Sequence, residues 1–381
     1  MTHTERPFID PGALPSSAVV AEAHAGERPI YGFVTNVRFI SMAAIVALHA
    51  ELDAPTWRHA PLNVALGQFV KFATVCFFLI SGFLLGERMV TDHPWTYFRR
   101  RLDALAVPWI TWAFVYLGLG LGLDWVARGA AMRSLSYHLA ATFVSSAFWF
   151  VPNLLFAIAV LLAFRRWLDR AWFGVLLGVV SLAYGVNLHV RLWHDTRHNT
   201  ALFGFVAYLW MGFQLRRHVV TIKSWVDRAS WVLLAALAVV TYAAALYESW
   251  LLEARFGGES DLLSTLRVTN VVYSLAAFAL LFKVHRHIEP SWMDVRRHTY
   301  GIHLTHPVVF AFVGRAFKVA CAMYFGVSAL EFNAHIDRYL TSPVTKLLAQ
   351  LVIFVVVYIA SWACVAVLAK TRVARYIGVR D

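Results

Sequence analysis

Residues 70–88 read VKFATVCFFLISGFLLGER and contain no charged side chain between Lys71 and Glu87. With the apolar residues just before it, this segment has the length of roughly 20 residues that crosses a bilayer. A helix satisfies all the backbone hydrogen bonds of such a segment where water is absent. Ser81 and Gly82 lie inside it, where small residues allow close helix packing or line a pore, and Lys71 can snorkel toward the outer surface. The segment predicts a transmembrane helix.

The composition of the 381-residue chain points to the same class of protein. Apolar residues make up 60% and charged residues 15% of the chain, whereas soluble proteins carry about 25% charged residues. Lys and Arg outnumber Asp and Glu by 34 to 22, which gives a net charge of +12. The basic residues form small clusters between apolar segments, which argues against a nucleic-acid-binding protein. Cys76, Cys321 and Cys364 show no spacing typical of disulfides or zinc sites.

Apolar segments of membrane-spanning length recur along the whole chain, and no internal repeat or linker interrupts them. We therefore predict an all-α fold, a polytopic transmembrane helix bundle of about ten spans. The predicted spans are 33–52, 66–86, 104–123, 148–164, 171–188, 200–215, 230–250, 263–282, 300–320 and 347–369.

The distribution of Lys and Arg predicts the orientation of the spans, because positive residues accumulate in cytoplasmic loops. With the N-terminus inside, the inner connections and the C-terminal tail hold 19 Lys and Arg, whereas the outer connections hold 7. Arg99, Arg100 and Arg101 form one such inner cluster, which by itself is a topology signal. We therefore predict that both termini are cytoplasmic and that no signal peptide is cleaved. The predicted divisions are a largely disordered tail at 1–32, a transmembrane domain at 33–369 and a basic tail at 370–381.

Two ionisable residues in the first span, RFISMAAIVALH at 38–49, are the clearest candidates for a functional site. Arg38 and His49 are eleven residues apart. They therefore share one face of a helix and lie about 16 Å apart along its axis. A snorkelling arginine and a histidine in an interhelical hydrogen bond would explain the pair structurally. Alternatively, His49 suits proton transfer from a hydroxyl, and Arg38 suits binding of a cosubstrate phosphate.

The ninth predicted span carries a second group of polar residues. His306 lies one turn after His303 and directly before Pro307, which lacks a backbone donor and frees a carbonyl of the preceding turn. Arg315 follows in the same span. So many polar groups predict a hydrated cavity within the bundle. No carboxylate or cysteine lies at ligand spacing from the histidines, so we predict no metal site.

Taken together, these segments resemble the acyltransferase-3 family of integral membrane O-acyltransferases. Each motif is weak alone, but their order along the chain makes the set fairly specific. The motifs are Arg38 with His49, FFLISGFLL at 77–85, YFRRRLDALAVPW at 97–109, FWFVPNL at 148–154 and TYGIHLTHP at 299–307.

The resemblance implies that the transmembrane domain is an acyltransferase domain and that His49 and Arg38 are its catalytic pair. His49 matches the family's essential first-span histidine, which we expect to act as general base, and Arg38 matches its basic partner. Arg38 would hold the donor or polarise its oxyanion. The family often has a second arginine three residues after the first in its CoA-contacting region, whereas Ala104 occupies that position after Arg101. The residues expected to bind substrate or cosubstrate are Arg99, Arg100, Arg101, Ser81, His306 and Arg315.

The function implied by the resemblance is transfer of an acyl group, often acetyl, from cytoplasmic acyl-CoA to a hydroxyl. The expected acceptor is a surface or extracytoplasmic glycan such as exopolysaccharide or O-antigen, and the expected location is the bacterial inner membrane. Some members carry a fused extracytoplasmic domain that completes the transfer. The sequence shows none, so we expect either direct transfer or a separate extracytoplasmic transferase as partner. The buried charges also fit a secondary transporter, or a translocator of acyl groups without acceptor chemistry.

Overall fold

The computed structural model describes residues 32–379, apart from residues 53, 87, 194, 196, 258–260, 287 and 289. The described residues are helical and contain no β-strand, which confirms the all-α fold. The predicted disordered tail lies outside the described residues, except for Gly32. The described helices of ten or more residues are α1 (Gly32–His49), α2 (Pro61–Val70), α3 (Phe72–Leu85), α4 (Pro94–Arg128), α5 (Phe150–Ala163), α6 (Ala171–Val190), α7 (Val206–Arg217), α8 (Val219–Arg228), α9 (Trp231–Phe256), α10 (Val268–Lys283), α11 (Val295–Phe325) and α12 (Pro343–Leu368).

Seven segments of the described chain are long and apolar enough to cross a membrane: α1, α2 with α3, α4, α6, α9, α11 and α12. An eighth crossing results if Leu135–Ser145 and Ala147–Ala163, which meet at 61°, form one bent span. Helices α7 and α10, in two of the predicted spans, have only 12 and 16 residues. A straight membrane helix needs roughly 20. The protein is therefore a multi-pass membrane protein, and the predicted total of ten spans is not confirmed.

Apolar side chains cover much of the outer surface of the bundle. Val232, Val239 and Val240 of α9 are all exposed, as are Val352 and Val355 of α12. Contiguous apolar surface of this kind is rare on proteins that contact only water. The exposed side chains are those expected of helices whose outer faces contact lipid.

The tightest described helix contact is the crossing of α3 and α7, where two glycines bring the backbones together. A Cβ atom on Gly82 would overlap the carbonyl oxygen of Leu209, and one on Gly212 would overlap that of Leu79. Small residues permit such close approach between membrane helices. The crossing fixes α3, which also carries Ser81.

Hydrogen bonds sort the connections between helices into two groups at opposite ends of the bundle. At one end, Asn36 Nδ2 donates to the Arg286 carbonyl at 2.8 Å, and Arg165 donates to the Asp92 carbonyl at 3.3 Å. At the other end, the indole of Trp57 donates to Gln350 at 2.6 Å, and Asn199 donates to the Val144 carbonyl at 2.7 Å. Each of these hydrogen bonds therefore joins segments that are predicted to lie near the same side of the membrane. Which end faces the cytoplasm stays a prediction.

The described part of the predicted C-terminal tail packs against α11. Residues 374–376 form a 3-10 turn, and Ile377 and Val379 are buried. A Cβ atom on Gly301 would lie 3.3 Å from the carbonyl oxygen of Ile377. Up to residue 379, the segment is therefore part of the packed bundle.

We expect Gly212→Ala to destabilise the bundle, because the added methyl group would overlap the Leu79 carbonyl. Both groups belong to helix backbones, so the overlap could be relieved only by a shift of one helix. Overpacking of this kind costs about 1–3 kcal/mol. The melting temperature of the purified protein in detergent, followed by tryptophan fluorescence, measures the effect. Gly178→Ala on α6 is the control, because a Cβ atom there would meet nothing within 4 Å. Equal melting temperatures for the two variants would contradict the tight crossing.

Candidate active site

A cavity of about 170 Å³ lies between helices α1, α3, α4, α5 and α11. Apolar side chains such as Met42, Phe77 and Leu154 form much of its wall. Two of the predicted site residues line it, Arg38 from the first predicted span and Ser81 from the second. The polar residues that line it are Arg38, Ser81, Arg296, Thr299, Tyr300 and His303.

The cavity carries positive charge without a compensating carboxylate. Arg38 is half-buried and Arg296 is exposed at the edge. Neither guanidinium forms a hydrogen bond or salt bridge within the described part of the chain. No Asp or Glu is among the lining residues. Guanidinium groups bind phosphates and carboxylates in bidentate geometry, so this end of the site favours an anion.

Three histidines continue from the cavity into the bundle. His303 lines the cavity, and its ring centroid lies 5.7 Å from that of His306. The His306 ring is in turn 5.3 Å from the ring of His49. A row of three imidazoles therefore connects the cavity to His49.

Helices α1 and α11 pack side by side and both begin at the same end of the bundle. Each carries an arginine near its start and a histidine about three turns later, Arg38 with His49 and Arg296 with His306. The two arginines line the same cavity, and the two histidine rings are neighbours. The helix pair therefore holds a cationic end and an imidazole end about 15 Å apart.

His306 presents a proton-accepting nitrogen. Its Nδ1 lies 3.2 Å from the Ile302 carbonyl oxygen, and because a carbonyl only accepts, we assign the proton to Nδ1. Nε2 then carries a lone pair, and it has no partner among the described residues. Helix α11 runs on through Pro307, so the proline frees the His303 carbonyl without ending the helix. Buried polar atoms without partners are expected where a substrate or water completes the site.

Lys71 lies at the break between α2 and α3 and is only 4% exposed. The sequence suggested a snorkelling side chain, and the structure buries it instead. Its Nζ forms no hydrogen bond or salt bridge within the described residues. Lys71 lies within electrostatic reach of His49 and Asp261, so it adds a positive charge beside the histidines.

The carboxylate of Asp261, outside the spans, balances part of this charge. His198 Nδ1 lies 2.5 Å from Asp261 Oδ2, and the His198 ring meets Trp149 edge-on with centroids 5.2 Å apart. Burial raises the pKa of Asp261, but the lowering by His198, Lys71 and Arg267 is larger, and the pKa is about 2. Asp261 is therefore ionised at neutral pH.

The arginines expected to contact CoA lie at the start of α4 and do not line the cavity. Arg99 and Arg100 are exposed, and Arg100 pairs with an aspartate of its own connection. Arg101 Nε donates to the Tyr97 hydroxyl at 3.2 Å within the same helix. The cavity begins one turn further along α4, at Leu105.

Arg315 does not join the other candidate residues. It donates to the Ala311 carbonyl at 3.1 Å and lines a separate cavity of about 340 Å³ with Asp124 and His138.

Several other intramembrane polar groups pair with one another. Arg267 is fully buried and donates to Ser249 Oγ at 2.6 Å and to Gln68. Glu248 accepts from His189 at 2.7 Å. These residues support the fold and lie outside the row of histidines. The described residues contain no group of three or more His, Cys, Asp or Glu that could hold a metal ion.

A family model described as an acyltransferase domain matches residues 31–366 of the chain. The match includes all the helices that form the cavity and the three histidines. No curated protein and no solved structure matches the chain significantly.

We expect Asp261→Asn to destabilise the protein by on the order of 2 kcal/mol at neutral pH, because asparagine keeps a hydrogen bond to His198 but loses the charge. The folded pKa of Asp261 is about 2, below the unfolded value of about 3.9. Its carboxylate therefore stabilises the fold above about pH 4, and this stabilisation is lost as the pH falls toward 2. Melting temperatures from pH 7 downward should show a constant difference from the wild type that shrinks below about pH 4. Asp103→Asn, at an exposed carboxyl on α4, is the control, and a pH-independent difference for Asp261→Asn would contradict the assignment.

Proposed function

This chain belongs to the acyltransferase-3 family and is a membrane acyltransferase, and from that premise we propose that it moves an acetyl group from cytoplasmic acetyl-CoA to a hydroxyl of an extracytoplasmic glycan. The observation that carries the proposal is the arrangement of an unpaired arginine cavity and a row of histidines within one bundle. The arginines of the cavity suit an anionic donor, and the histidines suit proton transfer.

The donor binds at the arginine end in this proposal. Arg38 lies about 16 Å along α1 from His49, so one acyl carbonyl could not contact both side chains. We therefore assign Arg38 to a phosphate of the donor and not to the oxyanion. Ser81 lines the same cavity, where its hydroxyl suits the amides of the pantetheine arm. Arg99, Arg100 and Arg101 add positive charge at the same end, which attracts a polyanionic cosubstrate.

The chemical step takes place at the histidine end. The acceptor hydroxyl attacks the thioester carbonyl while His49 takes its proton, which forms a tetrahedral intermediate and an imidazolium. The intermediate expels CoA as a thiolate, and the imidazolium returns the proton to the sulfur. The ester and free CoA are the products, and His49 is regenerated without net proton release.

His306 suits the role of a partner to His49. Its Nε2 lone pair can accept a hydrogen bond from His49, which would fix the ring that serves as base. Lys71 lies within electrostatic reach of His49, so its charge can favour the negative oxygen of the intermediate. Arg315 lines a different cavity, and we assign it no part in the transfer.

The remaining features of the proposal concern the membrane and the acceptor. The inner membrane of a bacterium offers acetyl-CoA on one side and surface glycans on the other, and the charge asymmetry of the connections supports this orientation. The chain would transfer the acetyl group directly or through a separate extracytoplasmic transferase. Mass spectrometry of surface glycans from a strain that lacks the protein tests the acceptor class, and unchanged acetylation would contradict it.

We expect His49→Ala to lower the rate of acetyl transfer by about 10² to 10⁴, the usual contribution of a positioned general base. Release of CoA thiol from acetyl-CoA by the purified protein, with the glycan fraction as acceptor, measures the rate. His218→Ala, an exposed histidine at the other end of the bundle from His49, is the matched control and should retain activity. A folded His49→Ala protein with wild-type activity would disprove the base assignment. Uptake of a solute into vesicles without consumption of acetyl-CoA would favour the transporter.

We expect Arg38→Lys to raise the KM for acetyl-CoA on the order of tenfold with little change in kcat, because an ammonium group keeps the charge but cannot bind a phosphate in bidentate fashion. A contact that is equal in the ground and transition states changes KM alone. Steady-state kinetics with acetyl-CoA as the varied substrate gives both constants. A fall in kcat at unchanged KM would instead assign Arg38 to the oxyanion.

A further inference from the structure

Arg296 is a residue of the cavity that sequence reasoning counted only as an inner-loop charge. It lies in the first turn of α11, whose start is fixed by Asp294, since the Asp294 carboxylate accepts from the Arg297 backbone N–H at 3.1 Å. Tyr300 and His303 follow at helical spacing, and all three residues line the cavity. The Tyr300 hydroxyl donates to the Leu105 carbonyl at 2.6 Å, which ties this face of α11 to α4. Arg296 therefore lies on a face of α11 that the rest of the site holds in place.

The pairing of Arg296 with Arg38 is electrostatically unfavourable unless an anion binds to them. Two like charges repel, and the repulsion is stronger near a half-buried group than in water. No carboxylate lines the cavity, and neither arginine has a salt-bridge partner within the described residues. A ligand with two adjacent negative groups would remove the repulsion and bind both guanidinium groups.

The size of the cavity limits which part of a donor enters it. A volume of about 170 Å³ is smaller than the roughly 300–1,000 Å³ of pockets that enclose a drug-sized ligand. A narrow chain fits this volume, whereas a nucleotide does not. Arg296 is exposed at the edge and Arg38 is half-buried, so a donor that enters from the edge meets Arg296 before Arg38.

We propose that Arg296 and Arg38 together bind the diphosphate of the acyl-CoA donor and thereby select a donor that carries the nucleotide over a simple thioester. The nucleotide stays outside the cavity, the diphosphate lies between the two guanidinium groups, and the pantetheine arm runs past Ser81 toward His303. This inference rests on the proposed function, because it names the group of the donor that the cavity recognises. Arg296 has a binding role here and no part in the chemical step.

A comparison of two donors tests the proposal, because S-acetylpantetheine carries the same thioester as acetyl-CoA but lacks the phosphates and the nucleotide. We expect Arg296→Met to raise the KM for acetyl-CoA about tenfold, with kcat unchanged, and to leave the kinetics with S-acetylpantetheine as in the wild type. The KM of Arg296→Lys for acetyl-CoA should lie between those of the wild type and Arg296→Met. Arg286 is an exposed arginine at the same end of the bundle and does not line the cavity. Arg286→Met is therefore the control and should leave the KM and kcat with both donors unchanged.

The alternative outcomes separate the inference from the proposed function. Equal losses with both donors, or a lowered melting temperature of Arg296→Met, would assign Arg296 a structural role and overturn the inference. An unchanged KM for acetyl-CoA would overturn it as well. Wild-type protein that consumes neither thioester would instead disprove the proposed acetyl transfer.

Discussion

The length of α-helix between Arg38 and His49 sets the geometry of the site. Eleven residues separate a guanidinium from an imidazole by about 16 Å on one helix face. Helix α11 has a similar arrangement beside α1, with Arg296 and His306 ten residues apart; Arg296 lines the cavity with Arg38, and His306 lies next to His49. The two helices therefore hold an anion-binding end and a proton-transfer end at a fixed distance. A substrate with a charged head and a reactive group at the end of a long arm matches that distance.

The membrane explains why the polar residues fall into separate groups. Ionisable side chains within a bilayer need partners or a hydrated cavity, and most of those in this chain have partners. Arg267 binds Ser249 and Gln68, and Glu248 binds His189. Arg38, Arg296 and Lys71 differ, because no hydrogen bond or salt bridge satisfies their charges within the described residues. Cations that the fold leaves without partners are the groups a ligand can use.

Much of the candidate site follows from helical periodicity, which the sequence displays directly. The spacing of Arg38 and His49 and the turn between His303 and His306 are local, so they could be predicted without tertiary information. Arg296 was missed because a pair of arginines between two spans looks like a topology signal. Lys71 was misread because burial depends on which helices surround it. Arg101 was predicted to bind the cosubstrate, and only the structure shows that its side chain bonds to Tyr97 and does not line the cavity.

The amino-acid sequence by itself determined the all-helical membrane fold, the family resemblance and the pairing of Arg38 with His49, because hydrophobicity and helix period act over neighbouring residues. Only the tertiary structure showed how long each helix is, and α7 and α10 are shorter than the hydrophobic pattern predicts. It also decided that α1 and α11 lie side by side, which brings His306 to His49 and Arg296 to Arg38. These contacts join residues about 250 positions apart in the sequence. No local pattern encodes that choice of neighbours.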